Sequence, residues 1–248
     1  MPPSPRPMSI RAPAIIAHRG ASRDFRENTM RAFQRALELE VDGIELDVHA
    51  TRDGVLVVHH DASLPMHHGE AVERVPLVRL SAAELAEFRL PSGDPIPTLD
   101  EIFRAVGDRA TVYVEVKAPN VEPMVAALLD QHPEVRSAVH AFDHRIPVGV
   151  RAIRPVTMIG LLSASYPLNV QGVISGSGAT MFWQHADLID ERLVQAVHEA
   201  GLQIVAWTVN SARHARQLAA WGVDALCTDV PDEIRTALAT GPSGAEAA

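Results

Sequence analysis

The segment VDGIELDV at residues 41–48 alternates apolar residues with carboxylates in a pattern that is typical of a β-strand. Successive side chains of a strand point to opposite faces, so Glu45 and Asp47 share one face and the apolar residues share the other. We expect the apolar face to pack against helices and the carboxylates to point into the interior of a sheet. Two carboxylates side by side in such an interior repel each other, and each is costly to bury without a partner.

Strand patterns of this kind alternate with helical patterns along the chain, which favours a parallel sheet with helical crossovers. Residues 28–39 carry apolar residues at helical spacing, and the glutamates three positions after Ser81 and Thr98 predict capping boxes that open two further helices. Residues 165–178 show no clear pattern. The predicted strands of the main sheet cover residues 14–17, 41–48, 111–116, 138–142, 156–162, 180–183, 203–208 and 225–227.

About eight strand–helix units in 248 residues predict an α/β fold, a closed TIM (β/α)8 barrel with a short insertion after the second barrel strand. An open doubly wound sheet is the alternative. Its phosphate-binding form carries a glycine-rich first turn, whereas residues 18–20 read HRG here. The sequence therefore favours the barrel.

One domain is expected at residues 13–239, with residues 61–97 inserted as a cap between the second and third barrel strands. Residues 1–12 are rich in proline and residues 240–248 are small and polar, so both are expected to be flexible tails.

The composition excludes several classes of protein. A hydrophobic fraction of 47% and a charged fraction of 21% indicate a globular chain. The net charge of −9 opposes nucleic-acid binding, which requires a basic surface. No apolar stretch approaches the ~20 residues that a membrane-spanning helix needs. The single cysteine, Cys227, cannot form an internal disulfide and suits a reducing compartment, so we expect a cytoplasmic protein without integral membrane association.

Chemistry in a barrel lies where the strands end at their carboxyl edge, so the polar residues there are the candidate site. Glu115 and Lys117 repeat the alternation of Glu45 and Asp47 on another predicted strand. Three inward carboxylates offer hard oxygen ligands for one divalent cation, Mg²⁺ or Ca²⁺. The alternative is a buried ion network in which Lys117 neutralises the acids without a metal.

His18 and His60 follow strands next to these carboxylates, which favours proton transfer because imidazole titrates near neutral pH. The alternative for each is a hydrogen-bonded scaffold residue. Arg19 and Lys117 could clamp an anion such as a phosphate, although a salt bridge is the alternative for Arg19. Trp207 ends a strand, where it belongs either to the core or to the wall of a substrate pocket.

His59 should point opposite to its neighbour His60 by strand alternation. The nine other histidines lie on predicted loops, helix faces or isolated positions, and we expect them to be solvated or structural. They are His49, His67, His68, His132, His140, His144, His185, His198 and His214.

An ordered set of motifs resembles the glycerophosphodiester phosphodiesterase family over about residues 15–234. Each motif alone is weak, but their order and spacing together are specific. The motifs are HRG at 18–20, ENT at 27–29, ELDV at 45–48, TRDG at 51–54, HD at 60–61, PTLDE at 97–101, EVK at 115–117, FD at 142–143, WTVN at 207–210 and GVD at 222–224.

The resemblance implies a TIM barrel that hydrolyses glycerophosphodiesters, small-molecule substrates, to sn-glycerol 3-phosphate and an alcohol. It further implies a role for each residue that matches a family motif, with His18 favoured as the acid and His60 as the base. The implied assignments are His18 and His60 as the acid–base pair, Glu45, Asp47 and Glu115 as metal ligands, Arg19 and Lys117 on the phosphate, and Glu27 and Asn28 in support.

The sequence departs from the family pattern where the alcohol end of the substrate is expected to bind. Members often carry an Arg-Thr-Thr-like stretch soon after the His-Asp motif, but residues 64–70 read LPMHHGE. Arg26 also stands where proline is usual before the ENT motif. Two alternatives therefore stay open: a barrel phospholipase, phospholipase D-like or lysophospholipase D, that acts on intact lipids, and a non-catalytic phosphodiester-binding barrel. The sequence leaves the oligomeric state open.

Overall fold

The computed structural model describes residues 12–68 and 71–240 of the chain. Except for residues 12 and 240, the predicted tails lie outside the described residues, as do residues 69 and 70 of the predicted cap. Residue 240 does not begin a tail, because it ends the last helix. The division into one domain with a cap at residues 61–97 stays a prediction.

The strands are numbered β1 to β11 in chain order. They are β1 Ala14–His18, β2 Gly43–Ala50, β3 Leu56–Val58, β4 Ser63–His68, β5 Ala71–Pro76, β6 Thr111–Val116, β7 Ser137–Ala141, β8 Met158–Ser163, β9 Met181–His185, β10 Gln203–Trp207 and β11 Ala225–Thr228.

Eight of these strands form a closed parallel barrel in the order β1, β2, β6, β7, β8, β9, β10, β11. Closure occurs at β1, where Ile16 is in register with Gly43 of β2 on one side and with Cys227 of β11 on the other. The TIM barrel is confirmed and the doubly wound sheet is excluded, because an open sheet has no such second pairing. β3 extends the sheet by pairing antiparallel with the end of β2.

Helices connect the barrel strands and pack on their outer surface. They are α1 Met30–Glu38, α2 Ala82–Glu87, α3 Leu99–Val106, α4 Glu122–Gln131, α5 Arg145–Ile153, α6 Val170–Ile174, α7 Glu191–Glu199, α8 Ala212–Trp221 and α9 Pro231–Thr240. Both predicted capping boxes are present, at Ser81 with Glu84 and at Thr98 with Glu101.

Several predicted boundaries differ from the structure. α1 begins two residues later than predicted, because Thr29 is its N-cap and Asn28 adopts a left-handed conformation with φ 57°. β7 ends before Phe142, and β8 begins after the exposed Val156. The unclear stretch at residues 165–178 contains the short helix α6.

The alternation of β2 divides its side chains as the sequence predicts. Ile44, Leu46 and Val48 are fully buried in the layer between strands and helices, so the two intervening carboxylates point into the barrel. Below these carboxylates the barrel interior holds an apolar cluster. The cluster contains Ile16, Ala138, Leu162, Met181, Trp183, Val205, Ala225 and Cys227.

Residues 61–97 form a β4–β5 hairpin followed by a 3-10 turn and α2. A separate apolar cluster lies beneath them. It consists of Val57, Leu64, Leu77, Leu80, Leu85, Leu90 and Ile96. Among the described residues, no helix combines the length and the apolar character required to cross a bilayer.

Gly160 of β8 leaves the space that the Trp183 ring fills, because a Cβ at this position would lie 2.7 Å from Trp183 Cδ1. We therefore expect Gly160→Ala to lower the free energy of unfolding by about 1–3 kcal/mol through overpacking, measured by urea denaturation. Gly149→Ala in α5 is the control, since its Cβ would meet only the flexible Glu122 side chain and a helical alanine is favourable. An equal loss in both variants would contradict this account.

Candidate active site

Polar side chains converge at the carboxyl end of the barrel. His18 is the last residue of β1, Glu45 and Asp47 lie in β2, and Glu115 lies near the end of β6. Lys117 follows β6 directly. The structure thus gathers the sequence-predicted acids and Lys117 at one place, and their roles stay predictions at this point.

Glu45 is the least neutralised of the three carboxylates. Its Oε2 atom accepts a hydrogen bond from the Arg19 backbone N–H at 3.1 Å, while its buried Oε1 atom has no hydrogen-bond partner among the described residues. Burial, together with the charges of Asp47 and Glu115, raises the pKa of Glu45 well above its usual range. The buried Oε1 atom of Glu45 therefore lacks a counter-charge.

Asp47 has positive groups on both sides. Lys117 Nζ lies 3.2 Å from Oδ1, Arg19 Nε lies 3.1 Å from Oδ2, and Asn28 Nδ2 donates to Oδ2 at 2.8 Å. Burial by itself raises the pKa of Asp47, but the charges of Arg19 and Lys117 outweigh it and lower the pKa. Asp47 is therefore ionised in the folded protein.

Lys117 bridges two acids, since its Nζ also donates to Glu115 Oε1 at 2.9 Å. Burial lowers the pKa of Lys117, but the charges of Asp47 and Glu115 outweigh it and raise the pKa above its ordinary value. The pKa of Glu115 is raised by burial and by the charge of Asp47, against the opposing effect of Lys117. The buried ion network that the sequence analysis gave as the alternative to a metal is therefore present around Asp47. Glu45 is not part of this network.

The donor set fits a divalent cation. Glu45, Glu115 and His140 each offer one ligand atom, and these three atoms lie within 4.8 Å of one another. The partnerless Oε1 of Glu45 is the kind of buried oxygen that a cation would satisfy. Asp47, the third carboxylate predicted as a ligand, is in register with Glu115 beside this cluster, and its oxygens contact Lys117, Arg19 and Asn28.

His140 belongs to this cluster although we expected it from the sequence to be solvated or structural. It is 1% exposed and lies in β7, where Val139 faces the helices and Ala138 faces the barrel interior. Strand alternation therefore places His140 in the interior beside Ala138. The strand periodicity that identified Glu45 and Asp47 as inward residues could therefore have identified His140 as one. Burial lowers the pKa of His140 to about 3, so its imidazole is neutral at neutral pH.

His18 forms a dyad with Asp229, a residue that sequence reasoning missed. His18 Nδ1 lies 2.7 Å from Asp229 Oδ1, which also accepts a hydrogen bond from Ser22 Oγ at 2.9 Å. Asn210 donates to the other carboxylate oxygen at 2.6 Å. Burial raises the pKa of Asp229, but the hydrogen bond and charge of His18 outweigh it and hold the pKa at about 2. The position of Asp229 just after β11 was the available signal.

His60 lies after β3, and its Nδ1 is 3.1 Å from Asp61 Oδ1. Asp61 in turn accepts a hydrogen bond from Arg74 of the β4–β5 hairpin at 3.0 Å. His60 therefore carries the same arrangement as His18, a carboxylate on Nδ1 with Nε2 directed elsewhere. Its backbone carbonyl also lies 3.1 Å from His49 Nε2.

Arg19 and Asn28 brace the site through left-handed backbone conformations, with φ 59° and φ 57°. Arg19 Nη1 forms a salt bridge with Glu27 at 2.9 Å, so the salt bridge considered from the sequence is present. The Arg19 backbone N–H reaches Glu45 while its side chain reaches Asp47. One residue thus contacts two of the acids.

Aromatic side chains border the mouth of the barrel. Trp207 packs edge-to-face on Phe142 at 5.5 Å and on His185 at 5.2 Å between ring centroids. Trp207 contacts the interior apolar cluster and also lines the small pocket that contains His18 and Glu45. Trp207 therefore lies between the apolar core and this pocket, and its contact with a substrate stays a prediction.

The chain is similar to known proteins over most of its length. The model of the glycerophosphoryl diester phosphodiesterase family matches residues 18–233. A glycerophosphodiester phosphodiesterase of Caldanaerobacter subterraneus subsp. tengcongensis is 31% identical over 89% of this chain and 95% of its own length. The family resemblance drawn from the motifs is confirmed.

Solved structures share the fold. The crystal structure of a glycerophosphodiester phosphodiesterase from Agrobacterium tumefaciens superposes with a TM-score of 0.77 at 26% identity, covering 90% of this chain and 99% of that one. An Oleispira antarctica phosphodiesterase in complex with the product sn-glycerol-3-phosphate superposes with a TM-score of 0.82 at 24% identity, covering 92% and 98%.

The raised pKa of Glu45 makes the stability of the metal-free protein depend on pH. The folded state keeps this proton to higher pH than the unfolded state, whose glutamate pKa is about 4.3. The stabilisation is complete below about pH 4.3 and is lost as the pH rises towards the raised folded pKa. Over that range, each pH unit removes about 1.4 kcal/mol from the free energy of unfolding.

Glu45→Gln removes this ionisation, so we expect the variant to be more stable than the parent at pH 7 in urea with EDTA, and the gain to disappear below about pH 4.3. The exposed Glu87→Gln is the control and should change nothing. A variant that is less stable than the parent at pH 7 would contradict the assignment of Glu45 as a buried, repelled carboxylate.

Proposed function

We propose that the chain, which belongs to the glycerophosphoryl diester phosphodiesterase family, hydrolyses soluble glycerophosphodiesters to sn-glycerol 3-phosphate and an alcohol. The observation that carries the proposal is the combination at one barrel mouth of a partnerless buried carboxylate, two cations and a histidine–aspartate dyad. Such a set suits a phosphodiester, which is anionic and must gain a proton on its leaving oxygen.

In this proposal Glu45, Asp47 and Glu115 hold one divalent cation. When bound, such an ion neutralises charge on the phosphoryl oxygens. A site made of these three carboxylates alone would favour Mg²⁺ or Ca²⁺.

His18 serves as the acid and His60 as the base. The ionised Asp229 accepts the Nδ1–H of His18, so the Nε2 atom is the one that carries a proton to the leaving alkoxide. Asp61 stands on Nδ1 of His60 in the same way, so its Nε2 is free to accept a proton from the nucleophile. Each carboxylate fixes the tautomer of its imidazole.

Arg19 and Lys117 bind the phosphate. Each carries its charge at the barrel mouth, with side-chain exposures of 17% and 19% that leave a path to a ligand. Glu27 and Asn28 support this arrangement by contacting Arg19 and Asp47. Trp207 walls the pocket.

We also place the activity in the cytoplasm, with small molecules rather than nucleic acids as partners. The buried single cysteine, Cys227, and the net charge of −9 support this assignment.

A lysophospholipase D activity on intact lipids is the second candidate, because apolar side chains are exposed at the carboxyl end of the barrel. Phe142 follows β7, and Tyr166 and Leu168 follow β8, with Leu168 fully exposed. Exposed apolar groups of this kind can contact a lipid aggregate.

The first test measures release of glycerol 3-phosphate from glycerophosphocholine and glycerophosphoethanolamine after metal removal and after return of Mg²⁺, Ca²⁺ or Mn²⁺. We expect release to require metal and to fall by at least about 10²-fold in His18→Ala, because the leaving alkoxide then lacks its acid. Metal binding by His18→Ala should stay near that of the parent. Release only from lysophospholipid micelles would favour the second candidate, and no release from either substrate would contradict both.

Asp229 acts as a positioning residue for His18, and Asp229→Asn should lower kcat about 10²-fold or more while KM changes little. ¹⁵N NMR of the side chain provides a readout that a merely structural role would not move, since neutral His18 should shift from the Nδ1–H tautomer to a mixture. Ser22→Ala removes a different bond to the same carboxylate and is the control. Loss of kcat with an unchanged tautomer would contradict the positioning role.

A further inference from the structure

We propose that the imidazole of His140 binds the same cation as Glu45 and Glu115 and gives the site a preference for first-row transition ions, such as Mn²⁺, over Mg²⁺ and Ca²⁺. The inference rests on the proposed function only in requiring a divalent-metal site at the barrel mouth. It changes the chemistry of that site from all-oxygen to mixed oxygen and nitrogen.

The position of His140 is fixed by the strand register. His140 of β7 pairs with Glu115 of β6, so the two side chains point into the barrel side by side. One ligand atom of His140 lies within 4.8 Å of ligand atoms of both Glu115 and Glu45. The distance is close enough for one cation to contact all three groups.

The orientation of the ring is fixed by stacking. The imidazole of His140 lies flat on the indole of Trp183, with ring centroids 4.2 Å apart and an interplanar angle of 3°. Gly160 makes this possible, because a Cβ there would lie 2.7 Å from Trp183 Cδ1 and 3.2 Å from His140 Cβ. The ring is therefore held in one plane without using a hydrogen bond.

The Nδ1 atom of the His140 ring is left for another partner. Nδ1 is buried and has no hydrogen-bond partner among the described residues, which is costly for a polar group. His132 and His144 differ in this respect, since His132 contacts Asp100 and Glu134 and His144 contacts the carbonyl of Leu162. His140 lines the same pocket as Glu45 and Glu115, and its Nδ1 atom has no such partner among the described residues.

The ligand chemistry decides which ions such a site prefers. Carboxylates suit Mg²⁺, Ca²⁺ and Mn²⁺, whereas neutral imidazole suits transition ions. A mixed set therefore gains affinity for Mn²⁺ through the nitrogen and gains little for Mg²⁺ or Ca²⁺. Among the three groups of this cluster, His140 is the one that would shift the preference.

The test uses the full chain loaded with Mn²⁺ and examined by electron spin echo spectroscopy, which detects nitrogen bound to the ion. We expect ¹⁴N couplings in the parent and none in His140→Gln. Calorimetry should show Mn²⁺ binding weakened about 10-fold to 100-fold in this variant and Mg²⁺ binding changed less than about threefold. His185→Gln, a histidine that contacts Trp207 at the same mouth, is the matched control and should keep both affinities.

If His140→Gln does not fold, the spectrum of the parent protein still shows whether a nitrogen binds the Mn²⁺ ion. Bound Mn²⁺ without nitrogen coupling in the parent would overturn it. Coupling that persists in His140→Gln but disappears in His18→Ala would also overturn it, by assigning the nitrogen to His18. Equal weakening of Mn²⁺ and Mg²⁺ in His140→Gln would overturn the preference.

The proposed function can fail separately. Hydrolysis of glycerophosphocholine by a Mn²⁺ site without nitrogen coupling would leave the function standing and remove the His140 assignment. Nitrogen-coupled Mn²⁺ in a protein that hydrolyses no phosphodiester would do the opposite. Failure of the parent to bind any divalent ion would remove both.

Discussion

Three carboxylates are buried within one end of a barrel, and the surrounding structure is arranged around their mutual repulsion. Arg19 and Lys117 flank Asp47, and Asn28 donates to it, so this acid stays ionised despite complete burial. Glu45 receives only a backbone N–H and stays poorly neutralised. The uneven distribution of counter-charge leaves one acid available to an incoming cation, and the backbone conformations of Arg19 and Asn28 maintain it.

The barrel separates this polar end from an apolar interior. Strand alternation sends one side chain in two outward, where apolar residues of the strands pack against the helices. Below the carboxylates, Trp183 fills the interior against Gly160 and supports the ring of His140 from beneath. Packing of the apolar part therefore sets the orientation of a polar group in the functional part.

Much of this architecture could be predicted from the sequence because it depends on local periodicity. The alternation at residues 41–48 identified the inward carboxylates, and the capping boxes at Ser81 and Thr98 depend on spacing of three residues. Partners that lie far apart in sequence were not predictable in this way. Asp229 meets His18 only because β11 pairs with β1; its position after a strand indicates the barrel mouth but does not identify His18 as its partner. His140 was accessible to the same periodic argument, but its short strand lacks the paired carboxylate pattern of Glu45 and Asp47.

The pairing of the first and last strands also determines when His18 can meet Asp229 during synthesis of the chain. The carboxylates of β2 and β6 emerge early in synthesis, whereas Asp229 follows 211 residues after His18. A nascent or truncated polypeptide therefore contains the acids, but without Asp229 the tautomer of its His18 imidazole is not fixed. Closure of the barrel between β1 and β11 is the event that brings His18 and Asp229 together, so this dyad exists only once the whole barrel is complete.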